Sequence, residues 1–290
     1  MKKITIFTPT YNRGYCLKKC YKSLVSQTNQ GFVWLIIDDG SIDGTKELVE
    51  GWMEEEKIEI HYQYQQNQGM HAAHNAAYSR IVTELNVCLD SDDIFHEKAV
   101  ERILNFWGKY GSNSVSGIVA LNEDLENQVI GTVLPDHITK STLYDLYYKL
   151  DVTGDKKLVY RTELTKQYPY PVFEGEKYVG LAYKYFKLDE NFKLLLLNQV
   201  LCIVDYLPDG SSNNMLNQYK KNPKGFAFYR KELMMLPFAN LSFKFRQAIH
   251  LVSSSLMDRN KKLLKETPNK LLTFAALPFG ALLYIYINAK

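Results

Sequence analysis

The amino-acid sequence predicts an α/β fold with a Rossmann-like, mostly parallel sheet flanked by helices. Segments typical of strands and of helices alternate through the first hundred residues in the order βαβαβαβ, which favours a doubly wound sheet. The second strand-type run, residues 33–37, is apolar on both faces, as expected for a strand in the middle of such a sheet. Polar residues also follow directly after three of the predicted strands.

The elements of this alternating region are predicted from their residue patterns. Runs of β-branched and aromatic residues indicate strands at 4–8, 33–37, 58–64 and 85–89. Apolar residues at helical spacing indicate helices at 17–27, 43–53 and 70–81. Ser41 or Asp43 is placed to cap the second of these helices.

The alternation weakens beyond residue 100. Strand-type runs lie at 115–121, 129–133, 158–160 and 192–204. The first two of these runs are candidates for antiparallel strands. Residues 178–186 have a helical pattern.

An apolar run near the end of the chain, residues 271–287, reads LLTFAALPFGALLYIYI. Four lysines between residues 261 and 270 precede it. The run is barely long enough to span a bilayer, and a proline and a glycine interrupt it. A helix held at a membrane surface by the lysines and by apolar contact is the favoured interpretation. A C-terminal core helix is the alternative.

Composition and charge narrow the class of protein. The chain has 290 residues, 46% of them hydrophobic, and a formal net charge of only +3. Because nucleic-acid binding needs a concentrated basic face, we expect no nucleic-acid partner. The four cysteines form no CxxC pair, and the N-terminal pattern is not that of a signal peptide. We therefore expect reduced thiols and a cytoplasmic protein.

Three polar clusters, at residues 9–13, 38–41 and 90–93, each come directly after a predicted strand. The carboxyl ends of parallel strands lie along one edge of a sheet, where ligands bind. We therefore expect the three clusters to converge on one cleft.

The third cluster, Asp90-Ser91-Asp92-Asp93, places three carboxylates within four residues. Their repulsion is relieved by a bound divalent cation, since hard cations take oxygen ligands. A magnesium-type site uses one or two carboxylates together with substrate phosphates. The alternative is an acidic turn that caps the helix after it.

The other clusters offer groups that can recognise a nucleotide. An acid at the position of Asp38 or Asp39 can accept a hydrogen bond from a ribose hydroxyl or a base N–H, although a helix cap is the alternative. Tyr11 can stack on a base or serve only in packing. The loop at Asn67 can present amides to a phosphate, and His71 is a candidate polar residue of the cleft.

Four stretches, in this order, resemble the family 2 glycosyltransferases with a GT-A fold: TPTYNRGYCLKKCYKSLVSQT, WLIIDDGSIDGT, NQGMHAAHNAA and LDSDD. The resemblance covers roughly the first hundred residues. It implies a nucleotide-sugar donor, commonly a UDP-sugar, with Mn²⁺ or Mg²⁺, and direct displacement with inversion at the anomeric carbon.

The resemblance also assigns roles to individual positions. Pro9 and Tyr11 would line the base pocket, Asp39 would accept from the uracil edge, and Asp38 would support that loop. Asp92 would bind the metal, and Asp90 would reach the ribose or the metal. The nucleotide-sugar site would comprise Pro9, Tyr11, Asn12, Asp38, Asp39, Asn67, His71, Asp90 and Ser91.

The general base of the family is usually the Asp of a Glu-Asp pair in the second half of the domain. The matching stretch here reads Glu174-Gly175-Glu176-Lys177, with a lysine at the usual base position. Glu176 is therefore the predicted base, with Glu174 in reserve. An acidic pair at a helix start is the alternative.

The predicted domain organisation follows from these assignments. Residues 1–210 would be the GT-A catalytic domain, with a nucleotide-sugar half (1–100) and an acceptor half (101–210). Residues 211–290 would be a helical extension that carries the membrane-associating segment 271–287. Residues 209–213 are a candidate border of the acceptor site.

The predicted function is sugar transfer to a saccharide or lipid-linked saccharide acceptor in surface-polysaccharide synthesis. The protein would act in the cytoplasm, at the inner face of the cell membrane. Two alternatives remain: a nucleotidyltransferase, and a degenerate module that binds nucleotide-sugar without turnover, which Lys177 would favour.

Overall fold

The computed structural model describes residues 2–205, 207 and 215–290. The chain forms two compact units, one made of Met1–Pro169 with Asn191–Leu207 and the other of Tyr170–Glu190 with Pro208–Lys290. The first unit contains the sheet, and the second consists mainly of helices.

The strands of the first unit all belong to one sheet. They are β1 (Ile4–Thr10), β2 (Phe32–Asp38), β3 (Ile60–Tyr64), β4 (Leu85–Cys88), β5 (Ile94–Phe95), β6 (Val115–Glu123), β7 (Lys140–Ser141), β8 (Lys156–Arg161) and β9 (Lys193–Ile203). The helices of this unit are α1 (Gly14–Val25), α2 (Thr45–Glu54), α3 (Met70–Arg80), α4 (Ala99–Tyr110), α5 (Leu143–Tyr148) and α6 (Thr162–Thr165).

The sheet has the order β3-β2-β1-β4-β8-β6-β9-β5, with β7 also paired to β9. The first four strands of the chain run parallel to one another, as predicted. β8 is antiparallel to both β4 and β6, whereas β9 is parallel to β6. The predicted α/β sheet is thus confirmed, and it is mixed rather than parallel throughout.

An aromatic stack joins the first two helices to the sheet. The rings of Tyr21 and Trp52 lie 4.3 Å apart at 7°, and the Trp34 ring lies 6.0 Å from Trp52. The Trp34 indole N–H donates to the hydroxyl of Thr8 at 2.9 Å, so its one polar group is satisfied inside the core. This packing fixes α1 and α2 against the strands whose ends form the site.

The predicted strand at residues 129–133 is wrong. After β6 the chain turns back because the Asp124 carboxylate accepts from the N–H groups of Glu126 and Gln128, each at 2.9 Å. Only one isolated bridge, between Glu123 and Val129, follows this turn. Gly131 then takes a left-handed conformation with φ of 72°, which does not continue a ladder.

The second unit contains α7 (Ala182–Leu188), α8 (Met215–Lys221), α9 (Pro223–Met235), α10 (Leu241–Met257), α11 (Leu263–Glu266) and α12 (Lys270–Ala289). α10 packs against both α9 and α12. By length and composition α12 is the one helix in the described residues that is apolar enough to cross a membrane.

The helix predicted at residues 178–186 begins later, at Ala182. The residues before it are held in an irregular conformation by their packing on α9. The ring of Tyr178 stacks on Phe226 at 4.9 Å. A Cβ at Gly180 would meet the Tyr229 ring at 2.9 Å, so the backbone lies directly against that side chain.

Candidate functional site

The ends of β1 and β2 lie side by side, with Thr10 opposite Asp38 in the parallel register. Asn12 joins the two loops that follow. Its N–H donates to the hydroxyl of Ser41 at 2.8 Å, and its side-chain oxygen accepts from the N–H of Ile42 at 2.9 Å. Asn12 has φ of 52°, a left-handed conformation that asparagine tolerates better than most residues.

Two residues with ring side chains, Pro9 and Tyr11, flank this junction. Pro9 is buried at the end of β1. Tyr11 is 48% exposed, so its ring is available to a ligand. The short connection to Asn12 holds both residues beside the loop after β2.

Asp38 is fully buried and holds the turn after β2. One carboxylate oxygen accepts from the N–H of Ser41 at 2.7 Å, and the other accepts from the hydroxyl of Tyr62 at 2.6 Å. Burial, followed by the hydrogen bond to Asp38 and then the negative charge of that residue, raises the pKa of Tyr62 far above its usual value. The phenol therefore remains a hydrogen-bond donor to this carboxylate.

Asp39 ties the same turn to the loop before α3. Its carboxylate accepts from the side-chain amide of Gln65 at 2.8 Å and from the N–H groups of Gln68 at 3.0 Å and Gly69 at 2.7 Å. A carboxylate offers about four lone-pair sites, so a further donor can still be accepted.

The loop before α3 also approaches Gly40 closely. A Cβ at Gly40 would lie 2.9 Å from the backbone N of Asn67, and the glycine has φ of 91°. The side-chain oxygen of Asn67 is buried and has no hydrogen-bond partner among the described residues. A buried acceptor of this kind is costly unless a ligand or water satisfies it.

The three acids that follow β4 have different environments. Asp90 is exposed, and Ser91 beside it is buried. Asp92 is partly exposed and faces the guanidinium of Arg13 at 3.4 Å. Asp93 is 5% exposed and turns into the protein. Only Asp90 and Asp92 therefore present carboxylates to solvent.

Asp93 forms a buried ion pair with Lys157, whose ammonium lies 3.2 Å from the carboxylate. Lys157 also donates to the carbonyl of Cys88 at 3.4 Å, and the thiol of Cys202 donates to Asp93 at 3.4 Å. Burial raises the pKa of Asp93 above its usual value, whereas the positive charge of Lys157 lowers it. The pair anchors the acidic loop to β8 and β9.

Asp92 experiences opposing charges. Burial first, and then the negative charge of Asp90, raises its pKa, whereas Arg13 lowers it. Asp205, which follows β9, adds a further raising contribution and is paired with Lys19 at 3.0 Å. A divalent cation between the two solvent-facing carboxylates would relieve this repulsion.

The residues present fit a magnesium-type or manganese-type site in which substrate phosphates complete the coordination. Asp90 and Asp92 supply hard oxygen donors two residues apart. Within residues 2–205, 207 and 215–290, no group of three His, Cys, Asp or Glu side chains is arranged to hold a metal by itself. Any metal at this loop therefore needs ligands from the substrate or water.

The histidines of α3 face the core. His71 and His74 are each 1% exposed. The His74 ring lies edge-on to Phe7 at 5.0 Å, and its Nδ1 is 3.3 Å from the hydroxyl of Tyr78. His71, the second residue of α3, is therefore buried and does not lie on an open surface.

Glu176 lies in the second unit and caps α9. Its two carboxylate oxygens accept from the N–H groups of Lys224 at 2.9 Å and Gly225 at 2.8 Å, where a negative charge is favoured by the helix dipole. The side chain is 8% exposed, whereas Glu174 and Lys177 are both exposed. Residues 209–213, the candidate border of the acceptor site, lie outside the described residues.

Sequence reasoning did not identify Arg13, Lys157 or Asp205. A lysine inside the strand pattern KKLVYR was the available signal for Lys157, since an unpaired ammonium is rarely buried. Arg13 and Asp205 carry no comparable local signal.

Comparison with known proteins identifies the family. The family model described as glycosyl transferase family 2 matches residues 5–168, and the chain belongs to this family. A protein named for teichuronic acid biosynthesis, TuaG of Bacillus subtilis, is 27% identical over 250 residues, which cover 84% of this chain and 93% of TuaG.

Other relatives match only part of their own length. An uncharacterized glycosyltransferase of Rickettsia conorii is 36% identical over 104 residues, covering 36% of this chain. The matched region is 17% of the Rickettsia protein, so the match spans less than a fifth of that relative's length.

Solved structures share the fold. S. aureus TarS (residues 1–349, in complex with UDP-GlcNAc) has a TM-score of 0.63 at 18% identity, with 96% of this chain and 80% of that chain covered. The mannosyltransferase PcManGT of Pyrobaculum calidifontis, in complex with GDP-Man and Mn²⁺, has a TM-score of 0.57 at 15% identity, with 98% and 87% covered. The fold is that of GT-A glycosyltransferases, as expected from the sequence.

Proposed function

We propose that this protein is an inverting glycosyltransferase that moves a sugar from a UDP-sugar to a saccharide or lipid-linked saccharide in surface-polysaccharide synthesis. The observation that carries the proposal is the junction of three loops at one edge of the sheet. Asn12 joins the first to the second, Asp39 joins the second to the loop before α3, and Asp90 and Asp92 face solvent after the neighbouring strand β4. Family membership and the name of TuaG support polysaccharide synthesis.

The donor site is proposed from the residues around that junction. Pro9 and the exposed ring of Tyr11 bind the base, and Asp39 accepts from its uracil edge with a lone pair that its hydrogen bonds to Gln65, Gln68 and Gly69 leave open. Asp38 acts by holding the turn. Asn12, Asn67, His71, Asp90 and Ser91 complete the nucleotide-sugar site. TarS, which shares the fold, was solved with UDP-GlcNAc.

Asp92 and Asp90 are the proposed residues for Mn²⁺ or Mg²⁺. A divalent metal bound there would supply Lewis-acid stabilisation of the diphosphate leaving group. In the protein itself, Lys157 holds Asp93 in the interior, and the two other carboxylates of this loop face solvent. PcManGT, also of this fold, was solved with Mn²⁺.

Glu176 remains the proposed general base, with Glu174 in reserve. A base must accept a proton from the acceptor hydroxyl, yet both oxygens of Glu176 accept from backbone N–H groups at the start of α9. These bonds stabilise the carboxylate and fix its position. The exposed Glu174 has the freer side chain.

The proposed location is the cytoplasm, at the inner face of the cell membrane, where a lipid-linked acceptor is presented. The apolar segment 271–287 supports this location. It lies within α12, and most of the exposed side chains of this helix are apolar.

The donor proposal is tested by calorimetric titration of UDP into the full chain with Mn²⁺. We expect binding that requires the metal, and its loss in Asp92→Ala with an unchanged circular dichroism spectrum. Glu54→Ala, which removes an exposed acid at the end of α2 in the same unit, is the matched control. Metal-independent UDP binding by the Asp92 variant would refute the metal assignment.

The two alternative functions give different products in one assay. A nucleotidyltransferase releases pyrophosphate from a nucleoside triphosphate and a sugar phosphate. A degenerate module binds UDP but turns over no donor with any acceptor in a panel of saccharides. Release of UDP only when an acceptor is present supports sugar transfer.

A further inference from the structure

α12 has one face packed within the second unit. Thr273, Ala276 and Ile287 on this face are no more than 2% exposed, and Gly280 is also buried. A Cβ at Gly280 would lie 2.4 Å from the Cβ of Val252 on α10, so the two helices are in close contact. The hydroxyls of Thr267 and Thr273 also pair at 2.6 Å, which ties the start of α12 to the chain before it.

The opposite face of α12 is apolar and exposed. Its large side chains are 51% to 86% exposed: Leu271, Phe274, Phe279, Leu282, Ile285 and Tyr286. Most of them lie three residues from the next, which places them along one side of a helix. No charged residue lies between positions 271 and 289. A contiguous apolar face of this extent is uncommon on a soluble surface and marks an interaction site.

The charge around this face indicates the partner. Residues 215–290 contain thirteen lysine and arginine residues against three aspartate and glutamate residues, a net charge of +10. The whole chain has a net charge of only +3, so the remaining residues carry −7. A basic region beside an apolar helix matches an anionic phospholipid surface.

Exposed cations border both ends of the apolar face. Lys261, Lys262 and Lys265 precede α12, Lys270 is its first residue, and Lys290 follows it; all are exposed. On α10, the Phe245 ring contacts Phe279 at 5.8 Å, and the exposed Arg246 is its neighbour. The cations therefore surround the face instead of interrupting it.

We propose that α12 lies in the plane of an anionic bilayer, with its exposed apolar face at the boundary between headgroups and acyl chains. Its other face stays packed on α10. If α12 instead spanned the bilayer, its contact with α10 at Gly280 would be lost, and Thr273 would lie in lipid. A second copy of the chain on the same face would bring two clusters of lysines together.

This docking mode rests on the proposed function in one respect, that the acceptor is presented at a membrane. Its test needs neither donor nor acceptor. UDP binding is measured in parallel, so failure of membrane docking and failure of the donor site give separate results.

The test is flotation of the full chain with vesicles of phosphatidylcholine, alone or mixed with phosphatidylglycerol. We expect binding only to the mixed vesicles. Phe274→Ser with Leu282→Ser should reduce the bound fraction about tenfold. The matched control is Val82→Ser with Val133→Ser, which alters two exposed apolar residues of the first unit and should leave binding to vesicles unchanged. Lys261→Glu with Lys262→Glu lowers the net charge of this region and should weaken the preference for anionic lipid.

Depth measurements distinguish an in-plane from a spanning helix. Tryptophan placed singly at Leu271, Phe279 and Tyr286 is quenched by brominated lipids of known bromine depth. Equal, shallow depths at the three sites support the proposal. A deeper position for Phe279 than for the two end sites would show a spanning helix and overturn it.

Two further results would overturn the proposal. One is equal flotation of wild-type protein and the Phe274→Ser, Leu282→Ser variant. The other is a wild-type dimer in sedimentation that the same variant dissociates, without binding to either type of vesicle.

Discussion

The ammonium of Lys157 and the carboxylate of Asp93 form a buried ion pair at 3.2 Å, and Asp93 lies in the same loop as two acids that face solvent. The pair separates three neighbouring carboxylates into one with a structural role and two that remain available to a ligand. The acidic loop can therefore present Asp90 and Asp92 without three unpaired negative charges at one strand end.

Replacement of Lys157 by Met should destabilise the protein by about 3 kcal/mol, because it leaves Asp93 buried without a counter-charge. Urea unfolding followed by fluorescence measures the change. The double variant Lys157→Met with Asp93→Leu should recover most of the lost stability, since an apolar pair of similar volume can replace a buried ion pair. A double variant no more stable than the single one would contradict this role of the pair.

Asn12→Ala should weaken UDP binding by about tenfold, because it removes the side-chain link between the loops after β1 and β2. Part of the effect is conformational, since alanine disfavours the left-handed backbone at this position. Asn127→Ala is the matched control, because Asn127 also has positive φ, 61°, in a turn after β6. Both variants should lose some stability in thermal unfolding. Equal UDP affinity in the two variants would show that the loop junction does not shape the donor site.

Glu176→Gln should lower kcat while leaving UDP affinity unchanged, because an amide is a poor base and also loses the negative charge that caps α9. Rates with a saccharide acceptor and calorimetry with UDP measure the two quantities. The same change at Glu174 separates the candidates. If Glu174→Gln abolishes transfer and Glu176→Gln only destabilises the second unit, Glu174 is the base and Glu176 a positioning residue.

Acid should destabilise the second unit through His250. Burial, and then the charges of Arg230 and Arg246, lower its pKa to about 4, and its ring lies 5.9 Å from that of Tyr219. An unfolded histidine protonates near pH 6.5. Between these values the unfolded state binds more protons, so stability contributed by neutral His250 is lost as pH falls from about 6.5 to 4.

Thermal unfolding at several pH values tests whether stability falls with pH in this range. His250→Phe keeps the ring contact and should flatten the pH dependence over that range. His61→Gln is the control, because the side chain of His61 is 62% exposed and should contribute little. An undiminished acid sensitivity in His250→Phe would assign the effect to other groups.

Much of the first unit is predictable because its signals are local. The apolar runs that predict β1, β2, β3 and β4 also place the polar clusters, since each cluster follows a strand directly. The pattern after residue 100 was less informative. The turn fixed by Asp124 prevents a strand at 129–133. Because Gly180 packs against Tyr229, α7 begins at Ala182 and not at residue 178.

The sequence by itself determined the alternating α/β region, the positions of Asp39, Asp90 and Asp92 at strand ends, and the apolar run within α12. These features depend on residue order and periodicity, which neighbouring positions carry. Only the tertiary structure decided that Lys157 holds Asp93 inside, that Asp205 lies near Asp92, and that Glu176 caps α9. Each of these contacts joins residues far apart in the chain, and their geometry is set by packing between elements.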